Sequence, residues 1–96
     1  MINYGYCESL DINSLPSPCF VVDKTAVERN LKILADVQAR SGAKILAALK
    51  AFSFWHLGGL TGQYLSGICA SGINEAKLGK DYYPGEVHTY SAGFKA

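Results

Sequence analysis

A chain of 96 residues, 49% hydrophobic and 18% charged, is long enough for one small globular domain and too short for two. Its formal net charge of +1 comes from scattered lysines and arginines, so the composition predicts neither nucleic-acid binding nor anionic-membrane binding. No apolar run reaches the length of a membrane span, and the opening stretch MINYGYCESLDINS lacks the basic and apolar regions of a signal peptide. A cytoplasmic location is the default expectation.

The cysteines predict neither a disulfide framework nor a metal site. Cys7, Cys19 and Cys69 are odd in number and widely spaced, and no CxxC pair occurs. We therefore expect free thiols and no bound metal.

The first predicted element is a short apolar strand over residues 16–23, PSPCFVVD. Two prolines favour an extended lead-in, and Phe20, Val21 and Val22 follow as a run of strand formers.

An amphipathic helix is predicted next. Its apolar stripe consists of Val27, Leu31 and Leu34. The helix begins with Asp23 as N-cap, or with Thr25 and Glu28 as a capping box, and it ends at Gly42.

The remaining chain alternates between strands and helices. KILAALK, residues 44–50, is apolar on both faces, as in a covered parallel sheet. A helix over 54–65, a strand over 67–71, a helix over 74–80 and a strand over 86–93 follow. Gly58, Gly59 and Gly62 each cost the first of these helices about 1 kcal/mol relative to alanine. The order of elements predicts the α/β class with parallel crossovers.

Two α/β architectures fit this order, a closed parallel barrel and an open doubly wound sheet. The chain matches only part of a barrel, which takes about 250 residues. No GxGxxG or GxxxxGK[ST] motif follows any strand, so nothing marks a nucleotide site in a doubly wound sheet. We therefore expect part of a TIM-type (β/α) barrel, whose chemistry collects at the carboxyl ends of the strands, where Lys50 lies. By itself, a lysine in this position more often extends its amine to water.

Three stretches carry a resemblance to a known family. LPSPCFVVDKTAVERNLKILADVQARSGAKILAALKAFSFW, GICASGINEAKLGK and GEVHTYSAGFK resemble the N-terminal part of the fold type III pyridoxal-phosphate decarboxylases, which have an alanine racemase-like barrel. The strands AALKAF and GEVHTYS are most similar to the carboxynorspermidine (carboxyspermidine) decarboxylases of bacterial polyamine synthesis. The resemblance extends from Leu15 to Lys95.

The resemblance implies a cofactor, a substrate class and an assembly. By motif match, Lys50 forms the Schiff base with pyridoxal 5'-phosphate, and the substrate is a small carboxylated polyamine. The full-length family members are expected to be homodimers. Residues 1–14 form an N-terminal extension, residues 15–23 supply a strand to the C-terminal β-domain, and residues 24–96 form the first βα units of the cofactor-binding barrel.

The chemistry of Schiff-base formation sets a requirement on Lys50. Only the neutral amine reacts, and desolvation lowers the pKa of a lysine. The apolar neighbours expected to provide it are Leu46, Ala48, Phe52 and Phe54.

Three further residues are candidates for the cofactor pocket. Ser71 and Glu75 correspond to a pocket-lining segment of the family, although both residue types also serve as helix caps. His88 faces the barrel interior near the cofactor ring if its strand alternates, or else is a core histidine with a satisfied hydrogen bond.

Two functions remain open from the sequence. The chain is the cofactor-attachment part of a decarboxylase, inactive alone because the family's phosphate-binding loop has no counterpart here. Alternatively, it is a non-catalytic α/β module that binds a partner chain. In both cases the apolar faces and strand edges predict that the 96-residue chain associates.

Overall fold

Three short strands form one parallel sheet in the computed structural model, which describes residues 10–93. β1 is Leu46–Ala48, β2 is Gly67–Ala70 and β3 is Glu86–Thr89, and β2 lies in the centre. The register places Leu46, Gly67 and Glu86 side by side. A helix precedes or follows each strand, and this arrangement confirms the α/β class.

Helix α1, Lys24–Ser41, begins and ends where the sequence predicts. The Asp23 carboxylate accepts hydrogen bonds from the backbone N–H groups of Thr25, at 3.0 Å, and Ala26, at 3.3 Å. Asp23 is therefore the cap, and the alternative capping box is not formed. At the other end Gly42 adopts a left-handed conformation with φ of 76° and stops the helix.

Helix α2, Gly58–Tyr64, follows a short 3-10 turn, Trp55–Leu57. Two of its glycines are explained by close packing. A Cβ atom at Gly58 would collide with the carbonyl oxygen of Tyr82, and one at Gly62 would collide with the Pro84 ring. The glycines weaken the helix intrinsically, but they let it lie directly against the last residue of the next helix and the connection from that helix to β3.

Helix α3, Ile73–Tyr82, covers one face of β2 and β3. The core beneath it contains Leu49, Ile68, Ala70 and Tyr83. Gly79 brings the helix close to the sheet, because a Cβ atom there would overlap the Ile68 side chain.

Some sequence predictions fail in the described residues. The strand expected over 16–23 is not formed, and Phe20 is 99% exposed. A strand requires a neighbour to pair its backbone groups, and none of the three strands lies beside this segment. On α1 only Leu31 of the predicted stripe is buried, whereas Leu34 is 40% exposed.

Residues 1–9 and 94–96 lie outside the described residues. The expectation of an N-terminal extension over 1–14 therefore falls mostly outside them, as do Cys7 and Lys95. The assignment of 15–23 to a β-domain stays a prediction. Cys19 and Cys69 are both free thiols.

Candidate active site

The sheet has one covered face and one open face. Register partners in a parallel sheet point to the same side, so Ile68, which packs under α3, identifies the covered face. The other face carries Leu46, Ala48, Gly67, Cys69, Glu86 and His88. Cys69 on the central strand is only partly buried, and both residues on β3 are exposed. Among the described residues, α3 packs against β2 and β3 on the opposite face, through Ile68.

Lys50 lies in a turn immediately after β1. The Ala48 carbonyl accepts hydrogen bonds from the backbone N–H groups of Ala51, at 3.1 Å, and Phe52, at 3.2 Å, and these bonds close the turn around Lys50. The lysine is exposed and forms no hydrogen bond or ion pair in the described part of the chain. The apolar surroundings expected from the sequence are therefore not assembled by these residues.

Ser71 and Glu75 meet at the start of α3, just beyond β2. The backbone N–H of Ser71 donates a hydrogen bond of 3.3 Å to Glu75 Oε1, an arrangement that ties the loop to the first turn of the helix. Helix α3 has Gly72 as its N-cap with no side-chain cap hydrogen bond, so the pocket role of Ser71 and Glu75 stays a prediction. Ser71 is exposed at the same edge of the sheet as Lys50, because the carboxyl ends of parallel strands lie together.

His88 is on the open face of β3, with its side chain 51% exposed. Within the described residues His88 is therefore not in the core, and its place near the cofactor ring stays a prediction. Its Nε2 atom lies 3.8 Å from Glu86 Oε1, and the same carboxylate accepts a hydrogen bond of 2.9 Å from Lys44 Nζ. This hydrogen bond lowers the pKa of Glu86, while desolvation opposes the shift.

The candidate residues Lys50, Ser71 and His88 lie in one region of the sheet. Lys50 and Ser71 follow adjacent strands at the carboxyl edge, and His88 lies on the open face beside them. No hydrogen bond or ion pair joins any two of the three among the described residues.

An aromatic cluster beside Lys50 was not predicted as functional. The cluster consists of the neighbouring rings of Phe52, Phe54, Trp55 and His56. The ring centroids of Phe52 and Phe54 are 6.3 Å apart, and those of Trp55 and His56 are 4.7 Å apart. The signal in the sequence was the density of rings in FSFWH directly after the lysine.

The described residues contain neither a membrane-spanning helix nor a metal-binding cluster. No helix between residues 10 and 93 is long and apolar enough to cross a membrane. In the same range, no group of three or more His, Cys, Asp or Glu side chains is arranged to hold a metal ion.

Curated relatives match most of this chain. A carboxynorspermidine/carboxyspermidine decarboxylase from Herminiimonas arsenicoxydans is 42% identical over 80 residues, which is 83% of the chain. One from Campylobacter jejuni is 41% identical over 81 residues. The chain is homologous to the carboxynorspermidine/carboxyspermidine decarboxylases. A carboxyaminopropylagmatine decarboxylase from Synechocystis is more distant, at 32% identity over 88 residues.

A solved structure agrees with these relatives in fold. The crystal structure of Campylobacter jejuni carboxynorspermidine decarboxylase, complexed with norspermidine, superposes with a TM-score of 0.81 at 41% identity and covers 84% of the chain. No family model matches the chain. The chain spans about a fifth of the length of these decarboxylases, between 21% and 23% of each curated relative and 22% of the solved structure.

Proposed function

We propose that this chain is the cofactor-attachment segment of a pyridoxal-phosphate-dependent decarboxylase that converts carboxynorspermidine or carboxyspermidine to norspermidine or spermidine in polyamine biosynthesis. The observation that carries the proposal is the position of Lys50. It presents an exposed primary amine directly after a barrel-type parallel strand, within a segment 42% identical to a named decarboxylase of this class.

The residues at the carboxyl edge fit such a cofactor. The exposed Lys50 amine is available for a covalent bond to an aldehyde, and Ser71 and His88 supply a hydroxyl and an imidazole in the same region. Glu75 lies next to them but is engaged with the loop backbone. When bound, the cofactor supplies the conjugated ring that accepts the electron pair left by departing carbon dioxide.

The chain itself positions the amine. Two backbone hydrogen bonds to Ala48 hold the turn, and the pairing of β1 with β2 fixes the start of that turn. A side chain anchored to a strand is held more closely than one on a long loop, and such positioning is a large part of catalysis. Lys50 Nζ must lose its proton before it attaches the cofactor.

The open face of the sheet is where further structure is needed. In the proposed eight-stranded barrel these three strands would be joined by further strands, and closure would cover His88 and Cys69 and surround Lys50 with apolar groups. The expected homodimer and the cytoplasmic location are part of this proposal.

A second candidate is a non-catalytic module that binds a partner chain. The observation that favours it is β3, a sheet-edge strand all four of whose residues, Glu86–Thr89, are exposed. An open edge of this kind pairs readily with another strand.

The test compares four proteins in an assay of carbon dioxide release from carboxynorspermidine. The complete decarboxylase carrying this segment should be active, its Lys50→Ala variant should lose activity, and the exposed helix variant Lys77→Ala should retain it. The 96-residue chain alone should show no turnover, because the resemblance implies that the family's phosphate-binding loop, with its charge-assisted contacts, is not part of it. Full activity of the Lys50→Ala variant would refute the assignment.

A further inference from the structure

Three side chains form a cluster at the amino end of the open face, which we call the Glu86 cluster: Lys44, Glu86 and His88. Glu86 Oε1 accepts a hydrogen bond of 2.9 Å from Lys44 Nζ and lies 3.8 Å from His88 Nε2. Lys44 precedes β1 and Glu86 begins β3, so the ion pair crosses the central strand at Gly67, the register partner of Glu86. Glycine has no side chain that could block this contact, and the pair therefore links the two outer strands.

One carboxylate oxygen of the cluster faces two donor groups. The contact of Glu86 with Lys44 has the length of a full hydrogen bond, whereas the 3.8 Å separation from His88 is longer than one. A neutral imidazole competes weakly with an ammonium group for a carboxylate, but an imidazolium carries the same positive charge. Glu86 therefore pairs with Lys44 while His88 is neutral, and it gains a second cationic partner once His88 takes up a proton.

Few other groups face His88. Its register partner on β2 is Cys69, a free thiol, and the same level of β1 carries Ala48. Helix α3 packs on the opposite face of the sheet, so the sheet separates the charged side chains of α3 from His88. Among the described residues, Glu86 and Lys44 are therefore the charged groups on this side of the sheet that act on His88.

Glu86 remains an anion over the pH range in which histidines titrate. The hydrogen bond from Lys44 lowers the pKa of Glu86 below its usual 4.5, while desolvation opposes the shift. An ordinary histidine titrates near pH 6.5, about two units higher. Between these values a change in the cluster reports the charge of the imidazole and not that of the carboxylate.

We propose that the Glu86 cluster is a pH-sensitive switch, in which protonation of His88 draws the Glu86 carboxylate away from Lys44 and loosens the link between the outer strands. As the pH rises, His88 loses its proton and the pair between Glu86 and Lys44 forms again. All three side chains are partly exposed, so the competing contacts are similar in energy and the exchange is reversible.

The test follows the titration of both histidines of the 96-residue chain by NMR, with His56 as the internal reference. Lys44→Met frees the Glu86 carboxylate for His88 and should raise the midpoint of the His88 titration by about 0.15–0.7 pH units, the range of one exposed ion pair. Glu86→Gln removes the anion and should lower that midpoint by a similar amount. The matched control Lys80→Met removes an exposed lysine from α3, on the other face, and should leave it unchanged.

A second readout tests the exchange itself. The NMR signal of Lys44 Cε should shift through the His88 midpoint in the wild-type chain, and it should stay constant over that range in His88→Gln. Shifts of the His88 midpoint in opposite directions in Lys44→Met and Glu86→Gln support the switch. An equal midpoint in the wild-type chain and both variants, or a Lys44 signal that does not respond to the titration of His88, would overturn it.

Discussion

Gln38 connects three parts of the fold through one side chain. Its Oε1 atom accepts hydrogen bonds of 2.7 Å from the backbone N–H of Ile45 and of 2.7 Å from the Ser66 hydroxyl. Its amide nitrogen donates a bond of 3.2 Å to the carbonyl oxygen of Tyr64. The side chain therefore joins the end of α1 to the lead-in of β1 and to the connection between α2 and β2.

Replacing Gln38 with methionine keeps the length and helix propensity of the side chain but removes all three hydrogen bonds. Each bond contributes about 0.5–1.5 kcal/mol net, and the half-buried Ile45 and Ser66 groups lose their partner, so the expected loss is about 2–3 kcal/mol. For a domain of this size, a loss of 2 kcal/mol lowers the melting temperature by roughly 8–16 °C.

The measurement is urea denaturation followed by circular dichroism. Gln63→Met is the matched control, because Gln63 is an exposed glutamine on α2. It should change the free energy of unfolding by less than about 0.5 kcal/mol. If Gln38→Met and Gln63→Met were equally stable, the three-way connection would contribute nothing and the reasoning would be refuted.

Three more predictions concern packing, pH and association. Gly62→Ala should destabilise the chain by about 1–3 kcal/mol, because the added methyl group overlaps Pro84. Gly59→Ala, whose methyl group meets open space, should stabilise the chain by up to about 1 kcal/mol. Equal effects of the two substitutions on the melting temperature would contradict the packing. The pKa of Glu86 is lowered below its usual 4.5 by Lys44, so its stabilising contribution is complete above that value and is lost as the pH falls through the folded-state pKa. Glu86→Gln should therefore lower the urea midpoint at about pH 7 and lower it less at acidic pH, and a loss of the same size at every pH would exclude this linkage. The exposed edge of β3 and the partly covered α1 stripe should make the chain associate at roughly micromolar concentration, and sedimentation of a compact, fully ordered monomer would contradict the fold.

The sequence predicted the elements that carry strong local signals. The limits of α1 follow from Asp23 and Gly42, whose capping chemistry is local and independent of the rest of the fold. The parallel sheet follows from the alternation of apolar strands and helices. The sequence gives conflicting signals for α2, because its glycines are unfavourable in an isolated helix. The glycines fit against Tyr82 and Pro84, and such a tertiary contact leaves no periodic pattern in the sequence.

The failures share a physical cause. The strand over 16–23 requires a neighbouring strand, and strand formation cannot be read from one segment. The apolar cover of Lys50, which is exposed in this chain, stays a prediction for the complete protein. The open face around His88 has the same physical cause. A strand that is apolar on both sides is expected to be covered on both faces, but its sequence does not show which part of the protein covers it. The hydrogen bonds of Gln38 were not predicted, because the sequence around a polar helix residue does not indicate which distant groups its side chain binds.

The central claim is that Lys50 holds the cofactor, and chemical labelling tests it most directly. The complete decarboxylase, loaded with pyridoxal 5'-phosphate, is reduced with borohydride and digested, and the modified peptide is located by mass spectrometry. We expect the pyridoxyl group on Lys50, no specific label in the Lys50→Ala variant, and normal labelling in Lys44→Ala, whose lysine precedes the same strand. A label on another lysine, or an unmodified Lys50 in an active enzyme, would contradict the account.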